Sequence, residues 1–196
     1  MPAAEIIERF KRTGALLEGH FILSSGLHSS AYLQCALVLQ HPAEAESFGR
    51  ALAAHYKDAQ VETVVSPAIG GLIIGYEVAR SLGARFIWTE RDGSGQMTLR
   101  RGFTLRAGES VLVVEDVITT GGSTRETIEA IRSTGARVVG AASIIDRSAG
   151  RADVGVERVT LAALDVPSVS KEACPACARG EQAIKPGSRK AVTSSK

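Results

Sequence analysis

"VLVVEDVITTGGST", residues 111 to 124, is the stretch that decides the fold. Four apolar residues, Val111 to Val114, run without a break into two adjacent acids, Glu115 and Asp116. An unbroken apolar run reads as a strand buried on both faces, as in a parallel sheet. A carboxylate at the end of such a strand is costly unless a cation or several hydroxyl donors meet it. Ribose hydroxyls are one such match, and a ribosyl cation developing nearby is another. Thr119, Thr120, Gly121, Gly122, Ser123 and Thr124 then lead into the helical pattern STRETIEAIRSTG, which closes at Gly135. The two glycines let successive N–H groups converge at the positive end of that helix, so the turn can hold a phosphate monoester. Ser123 and Glu126 also have capping-box spacing, so helix capping is an alternative use of the turn. No lysine follows the glycines as a nucleotide-triphosphate loop requires, and no GxGxxG fingerprint is present.

Strands and helices alternate on either side of this stretch. VETVVSPAIGG reads as a buried strand ending at Ser66-Pro67 and a glycine-rich turn, and LIIGYEVARSLG as a helix closing at Gly83. ARFIWTE is a strand, and the polar, basic RDGSGQMTLRRGF reads as an exposed loop. ARVVGAASIID is a further strand and ERVTLAALDV the last. Toward the N-terminus, Ala3 to Lys11 puts Ile6, Ile7 and Phe10 on one helical face, and HFILSSGLHSSAYLQCALVLQHP gives short strands around a Ser-Ser-Gly turn. Pro42 opens a helix whose apolar face holds Ala45, Phe48, Leu52 and Tyr56. The fold class is therefore α/β, with a mainly parallel central sheet flanked by helices. Ligands of such sheets bind beyond the carboxyl ends of the strands. Three ends belong together on that rule: Ser66 to Gly71, Thr89 to Arg91, and Glu115 to Thr124.

Composition narrows the function classes. A chain of 196 residues, 44% hydrophobic and 22% charged, suits one domain with a sizeable core. Its formal net charge of +2 gives no basic field for nucleic acid. MPAAEIIERFKR reads as neither signal peptide nor membrane span, and no later segment is long and apolar enough to cross a bilayer. With three cysteines and no disulfide framework, the expected setting is a reducing cytoplasm. Cys174 and Cys177 form a CxxC, but a zinc site needs further ligands at suitable spacing. Cys35 and the histidines His20, His28, His41 and His55 are all distant in sequence. The pair reads as a loop turn with free thiols, a structural or redox role being the alternative.

VLVVEDVITTGGS resembles the 5-phosphoribosyl diphosphate (PRPP) signature of the type I phosphoribosyltransferases. Other segments are similar to the orotate-specific members of that family. FILSSGLHSSAY resembles the segment that forms part of their hood over the base, SPAIGGLIIGYEVA their diphosphate-binding turn, and IIDRSAG their later strand end. TERDGSGQMTLRRGF lies where their mobile loop falls, and CPACARGEQAIKPGSR resembles the tail of one bacterial and archaeal branch. The resemblance implies a single type I phosphoribosyltransferase domain over residues 1–196, with hood elements in about 1–40 and the C-terminal region and a core in about 42–165. It implies that PRPP is held by Arg91, Glu115, Asp116, Val117, Ile118, Thr119, Thr120, Gly121, Gly122 and Ser123. Glu115, Asp116 and Arg91 would carry catalysis, and Thr119 and Arg147 would contact orotate. An arginine suits that task independently, because its fork pairs with a carboxylate in a bidentate way; an ion pair with Asp146 is the alternative. His28, if on the hood, would contact the base or stabilise the turn. Mg²⁺ would arrive mainly with PRPP, without an all-protein cage, and the protein would be a homodimer whose mobile loop reaches the partner's site.

The chain departs from the family at Ser24 and Gly70, where relatives commonly carry lysine, and between Thr89 and Phe103, which offers Arg91, Arg100 and Arg101 but no lysine or histidine. Lys185, Arg189 and Lys190 read as a solvated tail. A purine-salvage transferase and a PRPP-sensing regulator are the competing readings; a purine has no carboxylate for Arg147, and no segment before Phe21 is long enough for a DNA-binding module.

Overall fold

The computed structural model describes residues 1–23 and 25–186, so Ser24, Arg189 and Lys190 lie outside the described residues. The chain divides into two compact units. The larger is Met1–Ala15 with Cys35–Asp165; the smaller is Leu16–Gln34 with the chain from Val166 onward.

In chain order the elements are α1 (Ala3–Arg12), β1 (Leu16–Ile22), β2 (His28–Leu33), α2 (Ala36–Leu39), α3 (Pro42–Ala53), β3 (Thr63–Pro67), α4 (Gly71–Leu82), β4 (Arg85–Arg91), β5 (Met97–Leu99), β6 (Ser110–Ile118), α5 (Gly122–Arg132), β7 (Arg137–Asp146), β8 (Arg158–Ala163), β9 (Ser168–Val169) and α6 (Pro175–Ala178). The larger unit holds a six-stranded sheet in the order β5-β4-β3-β6-β7-β8. All its pairings are parallel except β4 with β5.

Alternation along the buried strands builds a core on both faces. Val65, Ile87, Val111 and Val113 meet Ile128 and Ile131 of α5. Val64, Leu112 and Val114 are completely buried on the opposite face, where α4 packs on β3 and β6 and contributes Ile74 and Val78. Gly83, at φ 67°, supplies the left-handed cap that ends α4.

Two expectations change. Residues 1–15 belong with the larger unit because α1 packs there: Ile6 and Phe10 are fully buried, the Phe10 ring lies 5.9 Å from Phe48, and Arg9 donates to Glu44 at 3.0 Å. The segment expected as a loop after Arg91 is a β-hairpin. Asp92 Oδ1 accepts from the Ser94 N–H (2.8 Å), the Ser94 hydroxyl (2.6 Å) and the Gln96 N–H (3.1 Å). That nucleates a turn whose returning strand, β5, buries Met97. The polar turn hides the signal, because only three residues of strand follow it.

The smaller unit is an antiparallel sheet, β1-β2-β9. Among the described residues, its buried apolar side chains are Phe21, Leu33 and Cys174.

Candidate active site

The strand order of the larger sheet reverses between β3 and β6: β3 is followed outward by β4 and β6 by β7. A crevice at the carboxyl ends of such a pair is the standard ligand site of an open α/β sheet. β3 delivers the turn Ala68 to Gly70 there, and β6 delivers Glu115 and Asp116. The Ala68 N–H donates to the Thr89 carbonyl at 2.8 Å, tying the first turn to the end of β4.

The acids are packed closely. Glu115 is buried, and the Asp116 carboxyl lies beside it. Burial pushes the Glu115 carboxyl well above the usual carboxylate range, and the neighbouring Asp116 charge adds to it. Burial also raises Asp116, opposed by the Val117 N–H, which donates to its Oδ1 at 2.8 Å. Burial pushes the Cys35 thiol well above its ordinary value, the neighbouring Asp116 carboxylate adds to that, and Arg147 pulls it the other way. Cys35 is a neighbour the sequence did not disclose, since nothing near it in the chain marks it.

The β3–α4 turn meets these acids closely, and at Gly71 it also meets the backbone. A Cβ on Gly70 would lie 2.7 Å from Asp116 Oδ1, and one on Gly71 would lie 2.9 Å from the Val114 carbonyl oxygen and 3.3 Å from Glu115 Oε1. Gly70 and Gly71 thus let the turn stand closely against the acid pair.

Beyond β6 the chain turns through Thr119 and Thr120, both exposed, to Gly121 at φ 77°. Gly121 also approaches Val154, whose Cγ1 would be 2.8 Å from an added Cβ. It is the cap residue of α5, with no side-chain cap hydrogen bond and no acid in the first turn. The capping-box alternative is thereby removed: Ser123 lies inside the helix, and Glu126 pairs with Arg91 at 2.7 Å. The positive end of α5 is thus met by no capping side chain and no acid of its own first turn. Val117 is half-buried and the Ile118 side chain is core.

Arg147 follows β7 directly, and its N–H donates to the Ile118 carbonyl at 2.8 Å, which places it beside Thr119. Asp146 is engaged elsewhere: it accepts from the Ser148 N–H (2.7 Å) and hydroxyl (2.6 Å), the Gly150 N–H (3.0 Å) and Arg158 (3.0 Å). Burial alone would raise the Asp146 carboxyl, but these donors hold it below its ordinary value.

The fold thus gathers Glu115, Asp116, the 119–123 turn and Arg147. Arg91 stands apart from them, donating to Glu126 on α5 and to the Gly95 carbonyl at 2.6 Å. Arg101 pairs with Glu90, which also accepts from Trp88 Nε1 at 2.8 Å, and Arg100 lies 3.9 Å from the same carboxylate. The Arg101 guanidinium holds Glu90 below the usual carboxylate range.

His28 does not serve the turn alone. It is buried, with Nδ1 2.7 Å from His20 Nε2. Both cysteines of the CxxC lie against these rings, so residues widely separated in sequence are gathered within the smaller unit. Sequence spacing conceals this, because strand pairing and not chain proximity brings them together.

Residues 36–165 match the model of the phosphoribosyl transferase domain. The chain is 53% identical to an orotate phosphoribosyltransferase of Pelotomaculum thermopropionicum over 190 residues, 97% of this chain and 100% of that protein. It is 49% identical to an orotate phosphoribosyltransferase of Thermus thermophilus over 176 residues, 90% of this chain and 96% of that one. Among solved structures, orotate phosphoribosyltransferase from Aeropyrum pernix superposes with a TM-score of 0.69 at 28% identity, covering 81% of this chain and 93% of that one. An adenine phosphoribosyltransferase gives a TM-score of 0.62 at 18% identity over 78% of this chain and 98% of that one, a likeness of fold alone.

Proposed function

We propose, from the premise that the chain belongs to the phosphoribosyltransferase family, that it transfers the 5-phosphoribosyl group of PRPP to orotate, giving orotidine 5′-monophosphate and diphosphate in pyrimidine biosynthesis. One observation carries the choice of acceptor: an arginine, Arg147, stands beside a turn that presents helix N–H groups, next to an acid pair of which Glu115 is buried. The turn from Thr119 to Ser123 takes the 5′-phosphate, with the backbone of Val117 and Ile118 leading into it. Glu115 and Asp116 take the ribose hydroxyls. Arg147 and Thr119 take orotate, the guanidinium pairing with its carboxylate.

The reaction is a displacement at the anomeric carbon. A ring nitrogen of orotate forms the new C–N bond and loses its proton to solvent as the C–O bond to diphosphate breaks and its electron pair leaves with the diphosphate. Positive charge grows on the sugar in between, and the acid pair stabilises it as it forms. Arg91 supplies charge to the leaving group; it does not supply a proton, since arginine does not give one up. Catalysis therefore rests on positioning and charge.

Mg²⁺ is part of the proposal as an ion carried by PRPP. The donor set fits that role: a single acid pair at the strand end, with Cys35 the one soft neighbour and, among the described residues, no group of three or more histidine, cysteine and acidic side chains gathered there as a protein cage. Glu115 and Asp116 would hold the ion through its waters, and bound to diphosphate it would neutralise the leaving group's charge.

We also place the protein in the cytoplasm, as three unpaired cysteines favour, and as a homodimer with the Arg91–Arg101 hairpin shared between subunits. No helix among the described residues is long and apolar enough to cross a membrane. The dimer is supported by an apolar face on α4 and β4, where Ile73 and Tyr76 are 45% and 56% exposed beside Phe86 and Trp88. Tyr76→Glu is expected to shift the mass measured by light scattering from two chains to one; a monomeric wild type would remove the dimer.

The reaction itself is tested by diphosphate release from PRPP and Mg²⁺ with orotate, uracil, adenine and xanthine in parallel. Release with orotate alone is expected, and a protein active only with a purine would overturn the assignment.

A further inference from the structure

We infer that His20, His28, Cys174 and Cys177 bind one zinc ion, which pins the chain after β9 to the β1–β2 hairpin. Their ligand atoms all lie within 4.8 Å of one another. His20 Nε2 is 2.7 Å from His28 Nδ1, 3.4 Å from Cys174 Sγ and 3.6 Å from Cys177 Sγ; Cys177 Sγ is 3.3 Å from His28 Nδ1. A tetrahedral zinc with bonds of about 2.0–2.1 Å to nitrogen and about 2.3 Å to sulfur needs ligand–ligand edges of roughly 3.3–3.8 Å. The three nitrogen–sulfur distances match that size, and the two rings lie slightly inside it.

A second observation concerns the proton on His20. Its Nδ1 lies 3.0 Å from the Glu181 carbonyl oxygen, which can only accept, so the ring's proton sits on Nδ1. Nε2 then presents a lone pair toward His28 and both sulfurs. A carbonyl that fixes the far nitrogen of a ligating histidine is the usual support of a structural zinc site. A hydrogen bond between the two rings would account for one contact, but not for two thiols converging on His20 Nε2.

Backbone pairing builds the site. β2 pairs with β9 at His28 and Val169. Further on, the Ile184 N–H donates to the His20 carbonyl and the Ile22 N–H donates to the Ile184 carbonyl, each at 2.8 Å. The intervening segment, closed at both ends on the hairpin, carries the two cysteines. Charge balance favours burial. The two thiols release their protons to solvent on binding, and two thiolates with two neutral imidazoles then offset Zn²⁺. His20, His28 and Cys174 are 7%, 5% and 6% exposed. The smaller unit, with little apolar core of its own, is the kind of module that a metal staple stabilises.

The test uses untagged protein purified without chelator. Mass spectrometry of the metals is expected to find about one zinc per chain, with a loss of at least tenfold in the Cys174→Ser, Cys177→Ser double variant. Should that variant fail to fold, wild-type protein stripped of metal and given Co²⁺ provides the independent reading: thiolate charge-transfer and tetrahedral ligand-field bands are expected, and Zn²⁺ should abolish them. Wild type that stays metal-free after zinc supplementation, with both thiols freely reactive or joined in a disulfide, would overturn the inference. So would a cobalt spectrum without thiolate bands. Orotate-dependent activity is scored separately, so the fate of this site and that of the proposed reaction are distinguishable.

Discussion

Replacing the acid pair, Glu115→Gln with Asp116→Asn, is expected to lower kcat/KM for PRPP by about 10³-fold or more while raising thermal stability. The two effects have one cause. The carboxyls sit at a buried strand end where burial raises both above their usual range, Glu115 most strongly. A group raised in the fold is favourable while protonated, below its unfolded value, and that contribution is lost as pH climbs through the folded value. At neutral pH the wild type therefore bears the cost of charge held away from water, and neutral amides of the same shape do not. A gain on the order of 1–2 kcal/mol is expected, worth roughly 2–8 °C in Tm for a chain of this size. It should shrink as pH falls toward the ordinary carboxylate range and the wild-type acids take up protons. Calorimetry from acid to neutral pH checks this. A variant less stable than wild type at neutral pH would show that the pair holds the fold together.

Arg147→Ala is expected to weaken orotate far more than PRPP. Losing a bidentate, charge-assisted pair costs about 3 kcal/mol, or about 10²-fold in kcat/KM for orotate. PRPP affinity by calorimetric titration should stay within about twofold. Arg147→Lys should recover only part of the loss, because an ammonium cannot form the fork. The protein should fold normally, because the Asp146 carboxylate is held by Ser148, Gly150 and Arg158 and keeps them when the Arg147 side chain goes. Equal losses for orotate and PRPP would remove the carboxylate assignment.

What was legible in the sequence was whatever one periodicity could carry. β3, β6 and β7 announce themselves as apolar runs, α4 by its closing glycine, and the acid pair by its cost. The Gly121 turn was legible too, though its capping alternative needed the structure, which starts α5 one residue before Ser123. Three features were not. β5 is too short to show alternation, so its hairpin read as a loop. Cys35 meets Asp116 only through folding. His20 and His28 meet a CxxC about 150 residues away because the tail pairs with β1 and β2, a juxtaposition no local pattern encodes.

The hairpin arginines have a consequence for how readily an anion can recruit them. Arg91 and Glu126 are 48% and 43% exposed in their side chains, and Arg101 is 62% exposed against Glu90. Pairs at that exposure are worth about 0–1 kcal/mol. A guanidinium waving in water gives up about 2 kcal/mol of rotamer freedom when it is captured, whereas one already leaning on a carboxylate has surrendered part of that freedom beforehand. Exchanging Glu126 for a phosphate oxygen is then a swap between two anions, with a small barrier and a small loss of disorder. Added salt, by loosening the resting pairs, should make the free hairpin more mobile without making its arginines easier to seat.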